Sequence, residues 1–208
     1  MRLFIAVAVP QQVAGELESA VAPLRSSWPS LRWTGRDAWH LTLAFLGEVG
    51  DAAAARLAGS LGAAAADHAD LALSLEGAGA FPAAHRAHVL WTGVRGDEAG
   101  LRALAASVAG KAAKVLAAPE SLIAEDEGVP AAEEGRDFQP HLTLARSRAA
   151  VDVRPLVAEL AGYAGTPWTA EEIYLIQSRL QARPRYETLG SWPLGGPPAA
   201  GGGAAPRT

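Results

Sequence analysis

Apolar and polar positions follow two rhythms along this chain, one of period two and one near 3.6 residues. Residues 3–9 are apolar on both faces and stop at Pro10, the pattern of a central strand. From there Val13, Leu17, Val21 and Leu24 recur at helical spacing, with Gln11, Gln12, Glu16 and Glu18 between them. Pro10 suits the first helical turn, where a missing N–H costs little. A short strand at 31–33 and a polar turn at 34–37 lead to a strand at 40–46, closed by Gly47. Residues 51–66 read as an alanine-rich helix, 71–75 and 87–94 as a strand hairpin, and 97–116 as a second long helix. A strand at 141–145, a short helix at 153–160 and strands at 171–180 and 186–192 complete the pattern. The mixture, without glycine-rich phosphate loops, is of the α+β class.

Composition narrows the function classes. Half of the 208 residues are apolar, but forty-seven are alanine, so the bulky core is smaller than that fraction implies. A net charge of −4 argues against a protein that coats duplex nucleic acid non-specifically, while leaving room for a ligand with one or two phosphates. The absence of cysteine removes disulfides and thiolate chemistry. The N-terminal apolar stretch is short and runs straight into a helical pattern, so it reads as a buried strand rather than a leader. A cytoplasmic monomer is expected, with no membrane partner. One domain over 1–194 is expected, followed by a disordered Gly/Pro/Ala tail at 195–208. The acidic stretch 119–136 reads as a mobile loop.

One internal repeat carries the chemistry. His40-Leu41-Thr42-Leu43-Ala44 recurs unchanged as His141-Leu142-Thr143-Leu144-Ala145, 101 residues later. In a strand, His and Thr two apart share one face and the leucines occupy the other. Each copy thus offers an imidazole and a hydroxyl to a surface and anchors itself in a core. Two such faces meeting across a pseudo-two-fold would make a pocket for a phosphodiester. A neutral imidazole takes a proton and a charged one delivers it. The hydroxyls donate to the non-bridging oxygens. Arg146 follows the second copy, but strict alternation turns it away from His141 and Thr143 unless the strand ends or bulges.

With the flanking residues included, the chain resembles the two-histidine (2H) phosphoesterases, and within them the bacterial RNA 2′,3′-cyclic phosphodiesterases, also called 2′-5′ RNA ligases. The resemblance rests on Met1-Arg2-Leu3-Phe4-Ile5-Ala6, on Trp39 and the first motif with Phe45-Leu46-Gly47-Glu48-Val49, on Phe138-Gln139-Pro140 before the second motif and Arg146 after it, and on Ser178-Arg179-Leu180 and Tyr186-Glu187-Thr188-Leu189. It implies a bilobal fold with antiparallel sheets flanking a central groove, helices outside, and neither a metal nor any other cofactor. It further implies hydrolysis of an RNA 2′,3′-cyclic phosphate end to a 2′-phosphate, with weak reversible 2′-5′ joining. On this resemblance His40 is the proton donor, His141 the proton acceptor, and Thr42, Thr143 and Arg146 hold the phosphate. The near-symmetry of the motifs leaves the two histidine roles interchangeable on the sequence itself.

Two departures from the family pattern stand out. The acidic 119–136 stretch beside a phosphate groove would repel long RNA, and Gln181-Ala182-Arg183-Pro184-Arg185 replaces a more glycine-rich turn. Two other functions fit the same residues: a non-catalytic binder of phosphorylated nucleotides or RNA ends, and a related esterase for a small cyclic nucleotide or a 2′-5′ oligonucleotide. His85 and His88 lack an acidic or cysteine partner at zinc-like spacing, so a metal site there is disfavoured. Arg86 and His88 are candidates for lining the groove. Trp33 and Trp39 flank the first motif and are candidates for base stacking, although core filling is the commoner use of such residues.

Overall fold

A computed structural model of the chain describes residues 1–117, 138–179 and 185–195. The expectations placed on 119–136, on Arg183 and the Arg185 side chain, and on 196–208 lie outside the described residues. Among the described residues the strands form two antiparallel sheets. The first contains β1 (Arg2–Ala8), β3 (His40–Glu48), β8 (Glu172–Arg179) and β9 (Arg185–Pro193), in the order β3-β1-β8-β9. The second contains β2 (Arg32–Trp33), β4 (Leu71–Phe81), β5 (Ala87–Gly96), β6 (His141–Val151) and β7 (Trp168–Ala170), in the order β2-β6-β5-β4-β7. Helices α1 (Gln11–Ser27), α2 (Asp51–Ala66), α3 (Glu98–Ala117) and α4 (Arg154–Glu159) connect them. None of these helices is long and apolar enough to cross a membrane.

The patterns that predicted the elements also explain what they bury. Leu3, Ile5 and Val7 of β1 are in the core, as are Val13, Leu17, Val21 and Leu24 of α1. The alanines have a specific use. Helices α2 and α3 pack on one another, and their buried faces mix Leu57, Leu61, Leu101, Leu104 and Val108 with Ala53, Ala54, Ala64, Ala65, Ala105 and Ala112. Small residues let two helix axes come close while keeping high helix propensity. α3 also packs against β3, and α2 against β8 and β9.

Four elements depart from the sequence reading. β4 and β6 run on to Phe81 and Val151, well past the predicted ends, because their later residues pair with β5. β7 was not foreseen: it is three residues held by pairing with Leu71–Leu73 of β4. Gly47 does not close β3 but lies inside it at φ +69°, a left-handed conformation that glycine adopts without a Cβ penalty.

The repeat acquires its shape from a paired irregularity. In β3, Ala44 pairs with Ile5 and Thr42 with Ala6, so Leu43 is an extra residue. In β6, Ala145 pairs with Leu90 and Thr143 with Trp91, so Leu144 is the extra residue at the same place. Both copies therefore bury two successive residues, Leu43-Ala44 and Leu144-Ala145, and then turn the next one outward. Such a bulge inverts the alternation beyond it. β3 and β6 lie against one another where the sheets meet. The segment just before β3 crosses over: Trp33 pairs with Ala145, and the Thr34 N–H donates to the Leu144 carbonyl at 2.8 Å.

Candidate active site

The two motif strands present the same residues in the same way. Leu41, Leu43, Leu142 and Leu144 are at most 5% exposed, while His40, Thr42, His141 and Thr143 are half-buried on the opposite face. Burying each leucine stabilises its strand by about 1.5–3 kcal/mol, which fixes the strand that carries the polar pair. The bulge settles the position of Arg146. Its exposed side chain follows the buried Leu144-Ala145 pair, and its charge acts on both His40 and His141. Its equivalent in the first copy is Phe45, which is 60% exposed.

Each imidazole is held from behind by the backbone two residues upstream. Nδ1 of His141 is 2.7 Å from the Gln139 carbonyl oxygen, and His40 makes a backbone hydrogen bond to Ala38. In the neutral ring such a bond keeps the proton on Nδ1 and leaves the Nε2 lone pair free. Burial pushes the His40 imidazole down to about 4, the Ala38 contact opposes it, and the Arg146 guanidinium adds a smaller downward push. Burial likewise lowers His141, opposed by the Gln139 bond and assisted by Arg146. Both rings are therefore neutral near pH 7 while no anion occupies the site.

Aromatic walls flank both rings. His40 stacks on Phe4 at 4.6 Å between centroids, and the Tyr186 ring meets it edge-on at 5.4 Å. His141 meets Phe81 edge-on at 5.0 Å and Trp91 at 6.1 Å. The Trp91 indole lies over Gly79, where a Cβ would sit 2.2 Å from the ring, so glycine there makes the space it occupies. Sequence reasoning missed Phe81 and Trp91 as neighbours of His141, and it quoted Phe4 and Tyr186 without giving them a place. Alternation along β1 would have put Phe4 opposite the core residues Leu3 and Ile5.

Other candidates fall elsewhere. Trp39 is buried in the core with the Arg25 guanidinium 6.0 Å above its ring. Trp33 packs against the core and donates its indole N–H to the Trp28 carbonyl at 3.1 Å. Trp39 therefore offers no free face for a base, while Trp33 is partly buried against the core. His88 Nδ1 lies 3.3 Å from the Ser147 carbonyl oxygen, and Arg86 is exposed at the end of a short turn preceding β5. Among the described residues no group of three His, Cys, Asp or Glu side chains is arranged to hold a metal ion.

Paired His-x-Thr strands on two antiparallel sheets define the two-histidine phosphoesterase fold. The chain belongs to the 2′-5′ RNA ligase superfamily, whose profile matches residues 9–182. It is 30% identical over 196 residues to an RNA 2′,3′-cyclic phosphodiesterase of Geobacillus stearothermophilus, covering 94% of this chain and 58% of that protein. It is 32% identical over 146 residues to the Archaeoglobus fulgidus protein of the same name, covering 70% of this chain and 72% of that one. Among solved structures, TT0787 of Thermus thermophilus superposes with a TM-score of 0.68 at 28% identity, over 94% of this chain and 99% of that one. E. coli LigT complexed with 3′-AMP gives 0.67 at 26% identity, over 93% and 97%. The chain thus spans somewhat over half the length of the Geobacillus relative and nearly all of the two solved structures.

Proposed function

We propose that this chain is an RNA 2′,3′-cyclic 3′-phosphodiesterase that hydrolyses a terminal cyclic phosphate to a 2′-phosphate by two-histidine acid–base catalysis. In the reaction, Nε2 of His141 takes a proton from water as the water oxygen bonds to phosphorus. The P–O3′ bond breaks, and protonated His40 delivers its proton to O3′. The products are a 3′-hydroxyl and a 2′-phosphomonoester. His141 then loses its proton to solvent and His40 regains one. Thr42 and Thr143 donate to the non-bridging oxygens, where charge accumulates, and Arg146 adds a charge-assisted contact.

The observation that carries this reading is the matched pair of imidazoles. Each has a backbone hydrogen bond to the residue two earlier, at Nδ1 in His141, and both lie in the field of one guanidinium. The names of the Geobacillus and Archaeoglobus relatives support the substrate. The choice of His40 as acid and His141 as base comes from the family resemblance, because the geometry is near-symmetric. The same steps with an RNA 5′-hydroxyl in place of water as the attacking group give a 2′-5′ phosphodiester and account for the superfamily's name. The reading includes a cytoplasmic monomer. Of the exposed large hydrophobics among the described residues, Phe45 and Tyr186 belong to the groove, leaving Leu189 as the other.

Hydrolysis of a short RNA ending in a 2′,3′-cyclic phosphate, in EDTA and followed by phosphorus NMR, tests the reading. A 2′-phosphate product is expected. A 3′-phosphate product would reverse the leaving group, and binding without turnover would make the groove a recognition site.

A further inference from the structure

The aromatic wall behind His40 continues into a charge that the proposed reaction does not use. On β1, Leu3, Ile5 and Val7 are core residues, so Arg2, Phe4 and Ala6 share the opposite face, the one on which Phe4 stacks with His40. Arg2 therefore stands about 6.6 Å along the strand from Phe4, one same-face step beyond the residue that touches the histidine. It is exposed, and among the described residues its side chain has neither a hydrogen bond nor an ion pair. Its register partner Glu48 is the obvious counter-ion, yet that carboxylate lies 3.5 Å from the Met1 amine. Ser178, its partner on the other side, is neutral.

Arg2 also shares a neighbour with the groove. Burial raises the Tyr186 phenol pKa, Arg146 lowers it, Asp37 raises it and Arg2 lowers it. The Tyr186 ring meanwhile meets both His40 and Phe4 edge-on, at 5.4 and 5.6 Å. The Arg146 guanidinium, the Asp37 carboxylate and the Arg2 guanidinium thus all act on the Tyr186 ring, with Arg2 farther along β1 than the histidines.

We infer that Arg2 is a second phosphate subsite, which takes the phosphodiester joining the terminal nucleotide to the rest of an RNA strand. The inference rests on the placement of the terminal cyclic phosphate between His40 and His141. If His40 protonates O3′, the ribose lies on the first sheet. The strand then leaves the groove through O5′ along that sheet, and Arg2 is the next cation on its face. Substrates carrying an upstream phosphodiester are therefore preferred over mononucleoside cyclic phosphates.

The test compares adenosine 2′,3′-cyclic phosphate with the dinucleotide ApA ending in a 2′,3′-cyclic phosphate, and with the same dinucleotide carrying a neutral methylphosphonate linkage. For the unaltered protein, kcat/KM for the phosphodiester dinucleotide should exceed that for the methylphosphonate about five-fold, the scale of one partly screened charge-assisted contact. Arg2→Ala should abolish that difference and leave the mononucleoside rate unchanged, whereas Arg2→Lys should retain part of it. The slope of log kcat/KM against log salt for the phosphodiester should flatten by about 0.7 in Arg2→Ala. Equal losses on all three substrates, or no charge preference in the unaltered protein, would overturn the subsite. Equilibrium binding of ApA 3′-phosphate and its methylphosphonate analogue separates the two proposals. An Arg2-dependent preference without turnover upholds the subsite and removes the hydrolytic reading, while turnover without the preference does the reverse.

Discussion

The Gln139 carbonyl oxygen lies 2.7 Å from Nδ1 of His141, so the neutral ring keeps its proton on that nitrogen and turns a bare Nε2 toward the groove. His40 likewise has a backbone contact two residues upstream, to Ala38. Neither contact depends on a side chain, so both survive drift of residues 38 and 139. What remains open to mutation is the imidazoles and what surrounds them.

His40→Ala and His141→Ala should each lower kcat by at least about 10²–10⁴-fold, the scale of one general acid or base. Circular dichroism should show both variants folded, since the leucines that anchor β3 and β6 are untouched. Full turnover by either folded variant would remove the mechanism.

The pH profile should shift between the free enzyme and the complex. The proposed reaction needs one charged and one neutral imidazole, and both are depressed in the empty site by burial and by Arg146. The bell in kcat/KM, which reports the free enzyme, should therefore centre below the ordinary histidine value. A bound phosphodiester anion favours the imidazolium, so the bell in kcat should centre at higher pH. Arg146→Ala removes a downward push and should move the basic limb of kcat/KM upward while weakening phosphate binding. Coincident profiles for kcat and kcat/KM would contradict the electrostatics.

Stability should depend on the same ring. The His40 pKa is depressed to about 4 in the folded chain from an ordinary value of 6.5, so the unfolded chain binds this proton first as pH falls. The stability this supplies is complete above 6.5 and is lost as pH drops toward 4, by roughly 3 kcal/mol over the window. Urea titrations of His40→Gln should show a correspondingly flatter dependence between those values. An unchanged slope would mean that the ring is solvated in the folded state.

Gly79→Ala should displace the Trp91 indole, because the new methyl would lie 2.2 Å from the ring. Overpacking of this kind costs about 1–3 kcal/mol. Trp91 and Phe81 both wall His141, so kcat should fall as well, with a change in near-ultraviolet dichroism. Combining Gly79→Ala with Trp91→Phe should recover part of the stability, and strict additivity of the two changes would refute the clash.

Much of the site is legible in the sequence because its signal is local. An exact five-residue repeat names both histidines and both threonines, and period-two alternation separates them from the leucines. Arg146 shows where this reasoning stops. Alternation sends it to the wrong face, and only the successive burial of Leu144 and Ala145 brings it round. That apolar doublet is visible in the sequence, but a bulge is also fixed by the partner strand, here the step from Leu90 to Trp91. Phe81, Trp91 and Tyr186 were missed as neighbours because sheet register is long-range information. Trp39 illustrates the converse: beside a catalytic motif in sequence, it is buried in the core.

The crossover of residues 32–34 onto β6 bears on how the groove admits its ligand. The chain entering the first motif is hydrogen-bonded to the strand that bears the second, through the pairing of Trp33 with Ala145 and the bond from Thr34 to Leu144. A hinge that swung the sheets apart would have to break these bonds at the site itself. The two repeats are thus clasped rather than jointed. Each half also lends a strand to the other's sheet, so a polypeptide cut between the repeats would separate β6 from β2 and β1 from β8.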